Sequence, residues 1–539
     1  MKKISSSGIF CEFYKNNYIY VDKTECIYNL IDNNKKIFFS RPRRFGKSLT
    51  LDAIGTLFEK GVEPYFKDTW IYDKWTEPVT PVLRLDFLSF KVDSVEAFKA
   101  KFVKKLSEFS KKYFEISFTD YDDPADALES LLCTIGDKDR EIVILIDEYD
   151  RQLVANINNE ELCEEFSSLI RQIYAVLKGA PAIRFMAVTG VTRLKDVSIF
   201  SAGNDIKDIS NSSQFSQLIG FTRDEIRHFY IDYLKLAASI ENKCSIDTVT
   251  DAQVELILDK MAQEYDGYCF DEDYEKKVFS TWSVNNFLQA VSGNNKVKYG
   301  DYWYENGGLP GILVNYLKSH QLNNIDYLCE NTSIDVDYEL FMNPQSLIDI
   351  DQNVLMCQTG YLTLKGEIVS GDDIKLGVPN MEVRRAILKR LAKLFFNRMP
   401  KLTDEEKEVL ESGDLDSITK LFNAILNSIA YDHYCIDCES AVRNSLFLYL
   451  KGARYEVSAE SQSSKGRCDL IIETKNRRIA VELKFAADEK SALSKLEEAK
   501  SQLIEKDYGN IVPLKNVMRI AAVFNGQSDV RAFKCALAD

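Results

Sequence analysis

The 539 residues include only 24 Gly and 11 Pro, too few for long flexible linkers or a fibrous repeat. Histidine is scarcer: His228, His320 and His433 leave little room for a Ser-His-Asp hydrolase. The 12 Cys are scattered, as free thiols in a reducing compartment are. Cys435-Ile-Asp-Cys438, with His433 before it, has no second pair to close a four-ligand zinc site. No run approaches the roughly 20 apolar residues of a membrane span, and no apolar core follows the basic start Met1-Lys2-Lys3. These absences lead us to expect a cytoplasmic protein with no membrane partner. A dinucleotide Gly-x-Gly-x-x-Gly, an internal repeat and a low-complexity tract are missing as well.

What is present is an ordinary globular composition, 45% apolar and 28% charged, long enough for two to four domains. The net charge of −15 speaks against a polyanionic partner for the chain as a whole. It is unevenly spread. From Tyr431 to Asp539 there are 17 Lys and Arg against 16 Asp and Glu, so the C-terminal segment is the part least repelled by nucleic acid. Local cations and bound metal would have to carry any approach to phosphates.

Continuous apolar strands are expected at Lys35–Ser40, Val82–Phe87, Ile142–Ile146 and Ile183–Thr189, separated by helical segments. That alternation predicts a parallel sheet covered on both faces. After about Phe221 the text becomes mainly helical. Around 351–390 a helix followed by two short strands suggests a winged-helix module. The acidic stretch Glu405–Asp416 reads as an exposed domain boundary. Beyond it the order is helix (Glu439–Leu450), strand (Cys468–Ile472), strand (Ile479–Phe485), helix (Ser491–Glu505), strand (Val517–Phe524).

The first strand runs into Arg41-Pro-Arg-Arg-Phe-Gly-Lys-Ser48 and then a helix. A strand, a tight turn and a helix N-terminus make a phosphate cradle, because unpaired N–H groups and the positive dipole end face the anion. Arg44, Phe45, Gly46, Lys47, Ser48 and Leu49 form the nucleotide-binding set. Lys47 would reach the β- and γ-phosphates, and Ser48 would place its hydroxyl on Mg²⁺. The pattern departs from G-x-x-x-x-G-K-[ST] in having Arg41 at the first Gly position. The third strand supplies the complement. Ile142-Val-Ile-Leu-Ile ends in Asp147-Glu148, where α/β sheets bind ligands. Asp147 would hold Mg²⁺ and Glu148 would orient or deprotonate the attacking water. Thr189, ending the fourth strand, is a candidate γ-phosphate sensor, with a strand-end Thr bonded to a loop as the plain alternative. Arg193 is open between an arginine finger and a solvated side chain.

A second constellation lies in the last block. Gly466-Arg-Cys-Asp469 leads into an apolar strand, and Ala480-Val-Glu482-Leu-Lys484-Phe follows after a short connection. Strand alternation puts Glu482 and Lys484 on one face. A turn centred on Lys475-Asn476 would set Asp469 directly opposite Glu482, with Cβ atoms roughly 5 Å apart. Two carboxylates so placed suit one hard divalent cation, Mg²⁺ or Mn²⁺, able to polarise a scissile phosphate. Lys484 could orient the water or neutralise developing charge.

These motifs resemble the bacterial AAA-ATPase-like proteins that pair such a domain with a PD-(D/E)XK nuclease. Matching stretches are Tyr20-Val-Asp-Lys-Thr24, Ser40–Ser48, Leu145-Ile-Asp-Glu-Tyr-Asp150, Thr189-Gly-Val, Ile199–Asn204, Gly220-Phe-Thr, Tyr265-Asp-Gly-Tyr268, Gly360-Tyr-Leu-Thr363 and Pro379-Asn-Met-Glu-Val383. An Arg at the first P-loop position is normal there. The resemblance implies an α/β chain with three parts: a P-loop AAA-like ATPase domain (1–220), a helical lid with winged-helix-like region (221–400) and a restriction-endonuclease-like domain (401–539). It further implies that Glu439 or Glu460 joins Asp469 and Glu482 at the metal, and that Gln502 is the superfamily's helical Gln. The function expected is ATP binding or hydrolysis with Mg²⁺, coupled to a metal-dependent nuclease acting on DNA ahead of RNA. The alternatives are a nucleotide-driven switch whose nuclease-like domain only binds nucleic acid, and a pure interaction module. A homo-oligomer is left open.

Overall fold

The computed structural model describes residues 1–90, 94–115, 121–194, 205–305, 333–344, 346–347, 349–396, 399–429, 436–463, 466–506, 508, 516–527 and 531–538, with side chains 304, 305, 394 and 460–466 excepted. The chain divides into two compact units, Met1–Tyr316 with Asp335–Val383 and Leu317–Ile334 with Arg384–Asp539. Three parts were expected from the sequence. The middle segment up to Val383 falls in the first unit because its side chains pack onto the phosphate loop, as described below.

The first unit is built on β1 (Lys36–Ser40), β2 (Val82–Asp86), β3 (Ile142–Asp147), β4 (Ile183–Gly190) and β5 (Lys207–Asp208). They form one sheet ordered β2-β3-β4-β1-β5, with every pairing parallel. Ile142 to Leu145 and Phe185 to Val188 are all but sealed from solvent, which is why these strands are unbroken apolar runs. β5, two polar residues long, had no such signature. Because β4 lies between β1 and β3, Thr189 stands between the phosphate loop and Asp147 at the C-terminal edge of the sheet.

A helical layer follows: Arg223–Phe229, Ile231–Asn242, Asp251–Tyr265 and Thr281–Asn294. Thr222 and Thr250 start the first and third of these with reciprocal caps from Glu225 and Gln253. Their shared core of Ile226, Leu234, Ile257, Met261 and Phe287 also takes in Ile4, Ile19 and Val21 from the N-terminal segment. Short strands β6 (Tyr268–Cys269) and β7 (Lys277–Val278) pair antiparallel. After β8 (Ile334–Val336) and the helix Gln352–Gln358 come β9 (Thr363–Leu364) and β10 (Ile374–Gly377), also antiparallel.

The second unit holds β11 (Glu456–Ser463), β12 (Gly466–Glu473), β13 (Arg477–Ala486), β14 (Asn516–Asn525) and β15 (Ala532–Leu537), in that spatial order. The β13–β14 pair is parallel, and the helix Glu489–Glu505 makes the crossover such a pair requires. Its Ala499 and Leu503 pack on Ile471, Ala480 and Ala521 of the sheet. The stretch Glu405–Asp416 is not an open boundary. It forms the helix Asp404–Ser412 and the start of Leu415–Asn427. Arg477 donates to the carbonyls of Val409 (2.8 Å), Leu410 (2.9 Å) and Gly413 (2.9 Å), and Glu411 accepts from the Lys475 and Asn476 amides of the β12–β13 turn. Its acidic residues cover a solvent face while its carbonyl end is capped by a cation.

Candidate functional sites

Gly46 has φ 102°, a left-handed backbone that lets the chain turn from the loop into the helix Lys47–Lys60. Lys47, 4% exposed, donates to the carbonyls of Arg41 (3.0 Å) and Pro42 (3.2 Å), with Glu148 Oε1 3.8 Å away. The Ser48 hydroxyl donates to Asp147 Oδ2 at 2.5 Å. Burial pushes the Asp147 carboxyl up to about 6, against the pull of Ser48 and Lys47. Glu148 sits at φ 53°, a left-handed conformation that a side chain adopts only when its surroundings impose it. Thr189 is fully buried, and its hydroxyl has no hydrogen-bond partner among the described residues.

A cavity of about 540 Å³ opens over this loop, lined by Arg44 to Leu49, Glu148, the N-terminal Ser5–Gly8, Tyr20, Leu218–Phe221, Trp282 and Asn285. Its size suits a nucleotide. Lys23, also on the wall, grips Glu225 with both oxygens (2.6 and 2.7 Å) and the Gln217 carbonyl (2.9 Å), so the Tyr20–Thr24 motif fastens the segment at 217–225 to the pocket.

The loop is held from behind by contacts of its own Arg41, Arg44 and Phe45, the last two expected in the nucleotide-binding set, with residues of the middle segment. Arg41 is buried, donates to the Ser40 and Ser210 carbonyls (2.8 and 2.5 Å) and lies 4.3 Å over the Phe270 ring. Burial lowers its guanidinium to about 9. Phe45 turns inward onto Tyr268, ring centres 4.7 Å apart. Arg44 stacks 4.5 Å over Trp282, and Thr281 donates to the Arg44 carbonyl at 3.0 Å. Trp303, fully buried, sends its indole N–H toward the Arg43 carbonyl (3.4 Å), while its own amide donates to Glu382 Oε1 (2.8 Å). Glu382 also accepts from the Ser283 hydroxyl (2.7 Å). Gly360 (φ 88°) leaves no room for a Cβ, which would lie 2.7 Å from Pro42; one on Gly267 would lie 2.3 Å from the Pro379 carbonyl. Thr363 bonds both the amide and the carbonyl of Cys269 (2.8 and 3.1 Å). Tyr265–Tyr268, Gly360–Thr363 and Pro379–Val383 thus form one collar around Arg41 to Phe45. Arg193 is tied within the chain to Asp208 (2.5 Å) and Gln358, so its cation is engaged by β5 in this conformation.

In the second unit the β12–β13 ladder pairs Leu470 with Val481 and Ile472 with Ile479, and one step further that register sets Asp469 against Glu482. Asp469 Oδ2 accepts from the Leu483 amide at 2.7 Å, and Arg443 lies 4.0 Å from Oδ1. Glu482 is 6% exposed, its Oε2 has no hydrogen-bond partner among the described residues, and Oε1 is 3.6 Å from Lys484 Nζ. Glu439, opening the helix Glu439–Gly452, meets the same Lys484 at 3.4 Å. Burial first, then the neighbouring acids, push Asp469 up to about 6 and Glu482 up to about 7. Two crowded carboxylates, one with an orphaned buried oxygen, are a donor set a hard divalent cation fits. Among the described residues no group of three His, Cys, Asp or Glu forms a ready-made metal cluster. Gln502 lies half-buried in the last turn of the helix Glu489–Glu505, beside Leu503, which packs on the carboxylate face of the sheet. The Glu460 side chain, His320, His433 and Cys435 lie outside the described residues.

Residues 7–200 match the family described as "Predicted AAA-ATPase", and 437–534 match the PD-(D/E)XK nuclease superfamily. The chain joins an AAA-ATPase-like domain to a PD-(D/E)XK nuclease-superfamily domain. An uncharacterized protein of the vnfD 5′ region of Azotobacter chroococcum mcd 1 is 27% identical over 473 residues, spanning 85% of this chain and 84% of the relative. Among solved structures, the Aeropyrum pernix Orc1 protein in complex with DNA aligns with 71% of this chain and 97% of its own (9% identity, TM-score 0.26). Cdc6p from Pyrobaculum aerophilum aligns with 68% and 92% (11% identity, TM-score 0.22). Likenesses this shallow carry no argument. The AAA-ATPase-like domain contains the phosphate loop and the Asp147–Glu148 strand end. The nuclease-superfamily domain contains Asp469, Glu482 and Lys484. No described helix is long and apolar enough to cross a membrane.

Sequence reasoning missed Trp303, Trp282, Glu382, Arg443 and Asp150, the third acid of the Asp147–Asp150 run. The signal was present for some of them. The resemblance quoted Tyr265–Tyr268, Gly360–Thr363 and Pro379–Val383 without a task, and glycines at fixed motif positions point to close backbone approach. Nothing local marks Arg443.

Proposed function

We propose that this protein binds and hydrolyses ATP with Mg²⁺ at its phosphate loop, and that the nucleotide controls metal-dependent cleavage of nucleic acid, DNA ahead of RNA, at Asp469, Glu482 and Lys484. One observation carries the reading: each unit holds its own acid–cation cluster, Lys47, Ser48, Asp147 and Glu148 at the C-terminal strand ends of one sheet, and Asp469, Glu482 and Lys484 within β12 and β13 of the other, joined by Glu439 from a helix.

In the first site Lys47 exchanges its bonds to the Arg41 and Pro42 carbonyls for the β- and γ-phosphates. Ser48 and Asp147, already hydrogen-bonded to each other, would hold Mg²⁺. Glu148 orients the attacking water and takes its proton, and Thr189 stands where the γ-phosphate is sensed. In the second site Asp469 and Glu482, with Glu439 nearby, would hold Mg²⁺ or Mn²⁺, which when bound polarises the phosphodiester and lowers the pKa of water. Lys484 neutralises charge on the phosphate as it becomes five-coordinate, and Gln502 orients the substrate. The helix Gln352–Gln358 with β9 and β10 serves as the winged-helix-like element. The cytoplasm is the compartment that fits ATP-driven chemistry on nucleic acid.

The test is cleavage of single- and double-stranded DNA and RNA with Mg²⁺ or Mn²⁺, with and without ATP, by wild type, Lys47→Ala, Glu482→Ala and Lys484→Ala. Wild type should cut. The Glu482 and Lys484 variants should bind without cutting, and Lys47→Ala should lose the response to ATP. A folded wild type that cuts none of these substrates rejects the nuclease half. Biological function that survives both nuclease-site variants supports a switch that only binds nucleic acid.

A further inference from the structure

Three residues after Asp147 the chain places another acid, Asp150, which the mechanism above does not use. It is 1% exposed. Its Oδ2 accepts three hydrogen bonds, from the Val191 amide (3.1 Å), the Thr192 amide (2.6 Å) and the Thr192 hydroxyl (2.6 Å). The donors belong to the segment that leaves β4 just after Thr189. The same two stretches are joined twice more. The Tyr149 amide donates to the Thr189 carbonyl (3.1 Å), and the Tyr149 hydroxyl donates to the Thr192 carbonyl (3.1 Å). Packing is close enough that a Cβ on Gly190 would lie 2.5 Å from the Tyr149 ring and 2.7 Å from Asp150 Oδ1. The segment reaches the phosphate loop as well, because the Gly190 carbonyl accepts from the Arg41 amide at 3.2 Å.

We infer that Asp150 is a positioning residue for ATP hydrolysis: by stapling the turn after β3 to the segment after β4, it holds Glu148 in its left-handed conformation beside Lys47. This rests on the ATPase reading above. The reasoning is geometric. Glu148 has φ 53°, which an L side chain leaves readily unless its neighbours fix it. Its own amide donates to Asp147 Oδ1 (3.0 Å) and its carbonyl accepts from the Arg151 amide (2.9 Å), while the next two residues, Tyr149 and Asp150, anchor this turn to the strand end that carries Thr189. Glu148 can deprotonate a water only from a defined place, and misplacing such a group by about 1 Å costs on the order of 100-fold in rate. The staple is a matter of acceptor geometry rather than charge: an Asn at this position keeps one oxygen for the same three donors. Replacing Asp150 by Ala leaves the two amides and the hydroxyl inside the protein without their acceptor, and the turn is freed.

The experiment compares wild type with Asp150→Ala, Asp150→Asn and Thr192→Val as full-length proteins, reading kcat for ATP hydrolysis, the Kd for ATP and amide exchange of the peptide spanning Asp147 to Gln152. Asp150→Ala should lower kcat by roughly 10- to 100-fold with the Kd for ATP within about twofold, and should speed exchange. Asp150→Asn should stay within about threefold of wild type, because the acceptor is retained. Thr192→Val, which removes one donor and keeps shape, should fall between, and it decides the matter if Asp150→Ala does not fold. Turnover by Asp150→Ala or Thr192→Val equal to wild type overturns the inference. So does a loss of ATP affinity that parallels the loss of turnover, or an Asn variant as impaired as the Ala variant. If wild type itself shows no ATP turnover, the ATPase reading falls, and exchange alone then decides: unchanged exchange in Asp150→Ala also removes the staple.

Discussion

Ser48 and Asp147, 99 residues apart, share a hydrogen bond of 2.5 Å between the first turn of the helix after β1 and the end of β3. Their strands are not neighbours; β4 runs between them. The bond therefore spans the end of β4, with Thr189 beneath it, and it joins the two groups that a nucleotide-bound cation would bridge. Lys47, one residue before Ser48, and Glu148, one residue after Asp147, face each other at 3.8 Å.

Binding and chemistry should separate at this place. Lys47→Ala should weaken Mg²⁺-ATP binding by about 10-fold or more, since it removes the cation that stands beside Glu148 at the start of the helix. Glu148→Gln should leave the affinity within about threefold and lower turnover by roughly 100-fold or more. Titration calorimetry and a phosphate-release assay measure the two. Unchanged affinity in Lys47→Ala would leave only the interaction-module reading standing.

The nuclease-superfamily site should make stability depend on pH with an unusual sign. Burial pushes Asp469 up to about 6 and Glu482 up to about 7. Both hold their protons to higher pH in the folded chain than in the unfolded one. From about pH 4 to about pH 7 the folded state therefore binds more protons, and the stability this pair contributes falls as pH rises through that window. In chelator, Glu482→Gln should flatten the fall in Tm between pH 5.5 and 8, because it keeps the shape and drops one titration. Mn²⁺ should raise the wild-type Tm more at pH 8 than at pH 5.5, with proton release on binding. Differential scanning calorimetry at the two pH values checks both, and equal slopes in wild type and variant count against the pair.

Arg477 is a structural prediction of another kind. Its three bonds to the carbonyls of Val409, Leu410 and Gly413 close the C-terminal end of the helix Asp404–Ser412, where a cation also meets the negative end of the dipole. Arg477→Ala should cost about 1.5–3 kcal/mol locally. Amide exchange over 404–413 should quicken roughly 10-fold or more, while ATP affinity stays as in wild type.

Glu382 should matter to nucleotide binding without touching the nucleotide. It holds the Trp303 amide and the Ser283 hydroxyl, and Trp303 backs the Arg43 carbonyl. Glu382→Ala should cost about 1–3 kcal/mol through unsatisfied buried donors and lower ATP affinity severalfold. Glu382→Gln, which keeps an acceptor, should lose less. Thermal melts and titrations on the two variants test this order, and identical ATP affinity in Glu382→Ala would detach the collar from the pocket.

Much of the fold was readable because its signals are local. The central strands of the first sheet carry continuous apolar runs, Ile142–Ile146 and Phe185–Val188, and a strand sealed on both faces has no other composition available. Glu482 and Lys484 share a face because a strand alternates, and the tight turn that closes on the paired Glu473 and Arg478 sets the register which, one step beyond Leu470–Val481, puts Asp469 level with Glu482. β5 was missed because two residues paired only to β1 carry no periodicity. Glu405–Asp416 was misread as a boundary because its acids do face water; the carbonyl end that Arg477 caps leaves no mark in composition.

By itself, the sequence determined the strand–turn–helix around Gly46-Lys47-Ser48, the acids at the end of β3 and the carboxylate–lysine face of β13, because backbone periodicity and the freedom of glycine act over a few residues. Tertiary structure alone decided that Arg41 is buried against Phe270, that Glu382 and Trp303 support the loop from more than 250 residues away, and that Asp150 fastens the turn after β3 to the segment after β4. These depend on which buried donor finds which buried acceptor, and that pairing exists only once the chain has closed around it.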